Sequence, residues 1–292
     1  MDEELHDHDR GLGFDLSTLI ARRRLFTMFA GAGLAVVIAG CGPDSKSSAT
    51  SSAAAQTTPA TDAQVATTSA VSATTAAQGN SAASLGVIPE ETAGPYPGDG
   101  SNGVDVLSET GIVRSDLRSS FGSTTTVADG VPTTIKLTLV DAGGGSPLPG
   151  AAVYIWHCDA EGRYSLYSQG VTDENYLRGV QEADSNGVVT FTSVYPACYS
   201  GRWPHIHYEV YPSIADATAA SNRLATSQLA LTKEASSAVY ATDAYPNSTQ
   251  NLSQVSLATD MVFSDGADLE TPTITGSPAD GYTIAMRAAI KT

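Results

Sequence analysis

The chain has 292 residues and a formal net charge of −16, with 31 acidic against 15 basic residues. That balance argues against holding nucleic acid or an anionic membrane surface through charge. The length suffices for one good-sized domain plus additional segments.

Residues 1–40 read as an export signal. An acidic leader precedes Arg22, Arg23 and Arg24, and an apolar run follows over residues 25–39. The run is too short and too rich in Gly and Ala for a comfortable transmembrane span. It ends in I-A-G-C, Ile38 to Cys41, which matches a bacterial lipobox. Cys41 is then the lipidated first residue of the mature protein. R-R-R-L-F also resembles a twin-arginine signal, without the usual Ser or Thr ahead of the arginine pair. The alternative is an uncleaved membrane anchor. Both readings place the rest of the chain outside the cytoplasm, and the lipobox reading ties it to the outer face of the cytoplasmic membrane.

Residues 41–84 are Ser, Thr and Ala with scattered Gln and Pro, almost no charge and no aromatic residue. Such a segment cannot bury a core and reads as a disordered tether. A folded domain is expected over residues 85–292. Its short alternating runs are bounded by Gly, Asp, Asn and Pro. Strands are expected over residues 133–141, 151–158, 187–194, 205–211 and 223–231, with 261–263 and 282–289 closing the domain. Residues 213–222 read as a short helix, and 235–257 as mostly irregular with helical turns. This pattern predicts an all-β fold, an antiparallel β-sandwich with long irregular loops and few short helices.

Beyond Cys41 the cysteines are Cys158 and Cys198. Two cysteines in an exported domain, at the ends of expected neighbouring strands, favour a disulfide. The alternative is two buried thiols.

Residues 198–211, C-Y-S-G-R-W-P-H-I-H-Y-E-V-Y, concentrate the chemistry. On a strand His205 and His207 point to one face with Cα atoms about 6.5 Å apart, close enough to share a metal ion. Past the leader the chain has one other histidine, His157, between Trp156 and Cys158, which reads as structural. Tyr199, six residues before His205, is near enough to be a third ligand.

Four segments in this order, I-P-E-E-T-A-G-P-Y-P (88–97), V-Y-I-W-H-C-D-A-E-G-R-Y (153–164), V-Y-P-A-C-Y-S-G-R-W-P-H-I-H (194–207) and R-L-A-T-S-Q-L (223–229), carry a resemblance. Together they resemble the intradiol ring-cleavage dioxygenases, in particular their small exported single-domain branch. The pattern W-x-x-D-x-x-G-x-Y, P-x-x-Y, R-x-x-H-x-H is complete. The family uses non-haem Fe(III) and O2 to open catechols between the two hydroxyls, giving a cis,cis-muconate-type diacid.

By position, the resemblance implies Tyr164, Tyr199, His205 and His207 as iron ligands. It gives Tyr199 a second role as a base, Arg202 the stabilisation of charge on the bound ring, and Gln228 a supporting role. The segment between His207 and Gln228 is longer here than in the family. Tyr96 matches a residue near the mouth of the substrate pocket. These residue types suit the chemistry. A hard trivalent cation favours anionic oxygen and lowers a phenol pKa from about 10 far enough to hold tyrosinate at neutral pH. Tyr167 is the competing ligand to Tyr164. The polar stretch at 171–180, with Asp173, Glu174 and Arg178, reads as shaping the site entrance.

Two other readings remain open from the residues. The G-S-P-L-P-G-A-A-V and D-S-N-G-V-V-T-F runs suit a transthyretin-like or adhesin-like binding module on the cell surface. A copper or zinc protein using His157, His205 and His207 would leave the tyrosines without a purpose. An exported, tethered enzyme would suit catechols that enter cells poorly.

Overall fold

The computed structural model describes residues 86–292. The export signal, the lipobox with Cys41 and the tether lie outside the described residues. The described chain folds into two four-stranded sheets.

The first sheet has the order β4-β1-β8-β7, made of β1 (Pro132–Asp141), β4 (Val188–Val194), β7 (Thr273–Ser277) and β8 (Gly281–Ile290). Alternation fixes its register. Ile135, Leu137 and Leu139 of β1 are buried, while Lys136 is exposed. Ile135 stands opposite Phe191 of β4 and Ile284 of β8, so three apolar side chains line up across the inner face. The β1–β8 pair is parallel, a departure from the all-antiparallel expectation. A parallel pair needs a long crossover, and here β2 to β7, six of the eight strands among the described residues, lie between the two.

The second sheet has the order β3-β2-β5-β6, all antiparallel, made of β2 (Ala152–Trp156), β3 (Arg178–Glu182), β5 (His205–Tyr211) and β6 (Ala225–Ala230). Every residue of β5 is buried, so both its faces are covered. On one face are Ile206, Tyr208 and Val210; on the other are His205, His207, Glu209 and Tyr211. The register sets Arg178, Trp156, His207 and Gln228 side by side in one row across all four strands of the sheet.

That polar face is crossed by an irregular strap, residues 92–97. The Gln228 side-chain amide donates to the Thr92 carbonyl at 2.9 Å, and Tyr154 donates to the Pro97 carbonyl at 2.6 Å. The strap therefore runs across the strands. From β6 to β2 is two strand spacings, about 10 Å, a width that residues 92–97 cover even with the left-handed turn at Gly94 (φ +69°).

Several local expectations are corrected. β3 overlaps the polar stretch at 171–180, and β7 lies where no strand is expected from the sequence. Residues 261–263 form a turn, because the Asp260 carboxylate accepts the backbone N–H groups of Val262 and Phe263 and prevents an extended path. Residues 213–222 hold turns and a single 3₁₀ turn at Ala220–Asn222. The stretch after β6 forms helices α1 (Lys233–Tyr240) and α2 (Ser248–Leu252).

Candidate metal centre

The W-x-x-D-x-x-G-x-Y run builds the first half of the site. Trp156 stacks on the His207 ring, 4.8 Å between centroids and 5° from parallel. The Asp159 carboxylate accepts the N–H groups of Glu161 and Arg163, at 2.9 Å each, closing the turn that swings Tyr164 inward. Gly162 has φ +86°, and a side chain there would meet the Tyr199 Cβ at 3.2 Å. Glycine is required both for the backbone and for the approach of the two tyrosines.

The second half comes from the turn before β5 and from its first residues. His205 donates from Nδ1 to the Trp203 carbonyl at 2.6 Å, which leaves its Nε2 as a lone pair. Three polar atoms converge on that nitrogen: the Tyr199 hydroxyl at 3.2 Å, the Tyr164 hydroxyl at 3.3 Å and His207 Nε2 at 3.1 Å. One lone pair cannot accept from three neighbours. Spacings near 3 Å are instead those of adjacent ligands on a first-row metal ion, whose bonds of about 2.1 Å at right angles separate donors by about 3 Å.

Burial sharpens this donor set. It lowers the pKa of His205, with the Arg202 charge adding to the effect, and holds His207 well below the ordinary range, with His205 as the next cause. Both imidazoles are therefore neutral donors. Burial, followed by the neighbouring Tyr199, raises the Tyr164 phenol well above its usual value, so its ionisation requires a cation at the oxygen. The strap leaves room beside His207, because a Cβ on Gly94 would stand 3.4 Å from His207 Cε1. The residues present thus fit a ferric ion held by Tyr164, Tyr199, His205 and His207. His207 is oriented by the Trp156 stack, since its Nδ1 is buried without a hydrogen-bond partner.

The remaining predicted residues surround this cluster. Arg202 is buried and donates to the Asp260 carboxylate at 3.0 Å and to Gln228 Oε1 at 2.8 Å. Gln228 in turn holds the strap through Thr92, as described above. The Tyr96 ring lies 5.0 Å from that of Tyr164. Tyr164 is 2% exposed, whereas Tyr199 is half-buried and lies on the more open side.

Three expectations change or resolve. Tyr167 is not part of the donor set: its hydroxyl accepts from the Gly98 N–H and donates to Asn102. His157 has both ring nitrogens occupied, by the Cys158 carbonyl and the Ser193 hydroxyl, which removes it as a ligand. The expected disulfide is absent, and Cys158 and Cys198 are free buried thiols. Each sulfur turns to a backbone carbonyl, Cys158 to Ala197 and Cys198 to Arg202. Burial pushes the Cys198 pKa up to about 12, so it remains a thiol.

Asp260 is the functional residue that sequence reasoning missed. It is fully buried and accepts from Arg202, Trp203, Val262 and Phe263. Its only sequence signal is an acid in an irregular stretch, 58 residues from its arginine.

Comparison with known proteins gives the following. A family model described as Dioxygenase matches residues 116–229. Catechol 1,2-dioxygenase of Pseudomonas sp. (strain EST1001) is 44% identical over 55 residues, 19% of this chain and 18% of that protein. Chlorocatechol 1,2-dioxygenase of Rhodococcus opacus is 34% identical over 55 residues, 19% of this chain and 21% of that protein. The matches thus span about a fifth of each curated relative. A solved intradiol ring-cleavage dioxygenase from Tetranychus urticae is 25% identical with a TM-score of 0.56, covering 71% of this chain and 95% of its own.

Proposed function

We propose, for a chain that belongs to the intradiol ring-cleavage dioxygenases, that it cleaves a catechol with O2 between the two hydroxyls to a cis,cis-muconate-type diacid. The observation that carries this reading is the convergence of Tyr164, Tyr199 and His207 on the His205 Nε2 lone pair at 3.1–3.3 Å. A surface-binding module has no need of such a cluster.

Tyr164, Tyr199, His205 and His207 would hold the iron. Bound there, ferric iron would supply the redox chemistry between a catechol and O2. The protein's own groups do the rest. Tyr164 is buried and stays in place. Tyr199, on the open side, takes a catechol proton at its phenol oxygen. Arg202, fixed by Asp260 and Gln228, offsets negative charge developing on the ring. Tyr96 covers Tyr164 and keeps water from that side of the site.

The sequence of residues 22–41 supports a location outside the cell, lipid-anchored through Cys41 to the outer face of the cytoplasmic membrane. Cys41→Ser is expected to abolish labelling by a radioactive fatty acid and to move the protein from the membrane to the soluble fraction. Unchanged labelling would remove the anchor from the proposal.

A visible absorption spectrum of the purified, iron-loaded protein tests the function. A broad tyrosinate-to-iron band is expected, moving to longer wavelength when catechol is added without O2. Tyr164→Phe and Tyr199→Phe should each weaken or abolish it. A protein that stays colourless after iron reconstitution would end the dioxygenase reading.

A further inference from the structure

We propose that Arg178 is the positioning residue of this site, a single buried guanidinium that holds the strap and the Tyr164 loop in one fixed relation. The proposal rests on the dioxygenase reading only for its catalytic consequence.

Arg178 is 1% exposed and ends the row that continues through Trp156 and His207 to Gln228. One side of its fork grips the Tyr164 loop: Nε donates to the Ser165 hydroxyl at 3.1 Å and Nη2 to the Ser165 carbonyl at 2.9 Å. The other side grips the strap: Nη2 donates to the Tyr96 carbonyl at 2.9 Å and Nη1 to the Pro97 carbonyl at 2.8 Å. Nη1 also donates to the Tyr154 hydroxyl at 3.1 Å, and that hydroxyl donates to the same Pro97 carbonyl. The guanidinium lies over the Tyr167 ring, 5.4 Å from its centroid.

Its hydrogen-bond partners are carbonyls and hydroxyls, with no carboxylate among them. A buried charge used in this way is retained for the geometry that a planar fork enforces, which a lysine cannot reproduce. Both gripped segments touch the site. Ser165 directly follows Tyr164, and Leu166 beyond it is held at φ +73°, a conformation leucine seldom adopts. The Tyr96 ring rests against Tyr164. Arg178 itself has no hydrogen bond to any of the four donor side chains, so it acts through Tyr96 and Tyr164. This gives the polar stretch at 171–180 its role. Glu174 and Asn175 bind residues 120–126, and Arg178 sets the site.

The test compares the full chain with Arg178→Lys, first without metal, by hydrogen exchange. The probes are the Gly98 amide, which donates to the Tyr167 hydroxyl, and the Leu166 amide, which donates to Val171 and Glu174 carbonyls. Both are expected to exchange at least tenfold faster, while the β1 and β8 amides keep their rates. Acceleration at one probe alone, or equal acceleration throughout, would overturn the proposal. With iron, the variant should show a displaced tyrosinate band and a KM for catechol raised by more than kcat falls. An unchanged band and KM would also overturn it. Should Arg178→Lys fail to fold, Tyr154→Phe removes only the hydroxyl bridging Arg178 to Pro97. A smaller paired acceleration is then expected, and unchanged exchange refutes the proposal. A variant and wild type that both lack the iron band would overturn the function alone, because the exchange arm needs no metal.

Discussion

Arg202 shows how much of a residue's role lies in its partner. Its guanidinium is buried, and Asp260 is the carboxylate that balances it. Removing one member of a buried ion pair leaves the other uncompensated, at a cost of about 3–5 kcal/mol. Asp260→Ala is therefore expected to lower both thermal stability and kcat/KM for catechol. Asp260→Asn, which keeps the shape but not the charge, should spare more stability than activity. Thermal unfolding and steady-state kinetics on the two variants separate these effects. The clustering of Tyr164, Tyr199, His205 and His207 is legible in the sequence because each sits in a short motif with its own turn chemistry. Asp260 is not, because only tertiary folding brings it to Arg202. The bridge expected between Cys158 and Cys198 fails for a related reason: compartment and strand ends suggest a disulfide, but each sulfur faces a carbonyl. A thiol reagent should accordingly find Cys158 and Cys198 only after denaturation, without reductant, and reductant should leave the melting temperature unchanged.

At the level of elements, alternating apolar residues made β1, β2, β4, β5 and β8 readable to within a residue or two at most of their ends. β3 escaped because R-G-V-Q-E looks like a polar loop. Its arginine is buried by a hydrogen-bonding role that no periodicity records. β7 escaped because T-I-T-G-S is a short, largely exposed edge strand. In the strap the sequence singles out Tyr96, yet Gly94, at φ +69°, is the residue that faces the His207 ring. Alanine there costs about 1–2 kcal/mol for the backbone, and its Cβ would come into van der Waals contact with the His207 ring at 3.4 Å, so relief of the backbone strain shifts the strap over that ring. Gly94→Ala should reduce iron retention, measured as metal per protein after dialysis against a chelator, with a modest loss of stability.

Across the whole molecule, the sandwich was legible as a class, while the parallel β1–β8 pairing was not. No local signal tells a last strand which neighbour it will find. The closed interior also traps acids. Glu270 is fully buried, and burial, with Glu91 as the next cause, raises its pKa to about 8. An unfolded glutamate titrates near 4.3. Between these values the native state binds a proton that the unfolded chain has released, so stability falls as pH rises from about 4.5 and levels off above about 8. Glu270→Gln should flatten that part of a plot of melting temperature against pH; an unchanged slope would place the trapped proton elsewhere. The strap adds a consequence in time. It precedes every strand among the described residues, yet it docks on Gln228, 136 residues after Thr92, and on Arg178, 82 residues after Tyr96. Its partners do not exist until most of the chain has been synthesised, and closing so long a loop comes late in folding. A segment made ahead of its partners thus docks late, and until it does His207 is uncovered on the side where Gly94 will lie. In kinetic terms, Gly94→Ala should speed unfolding while leaving the refolding rate unchanged.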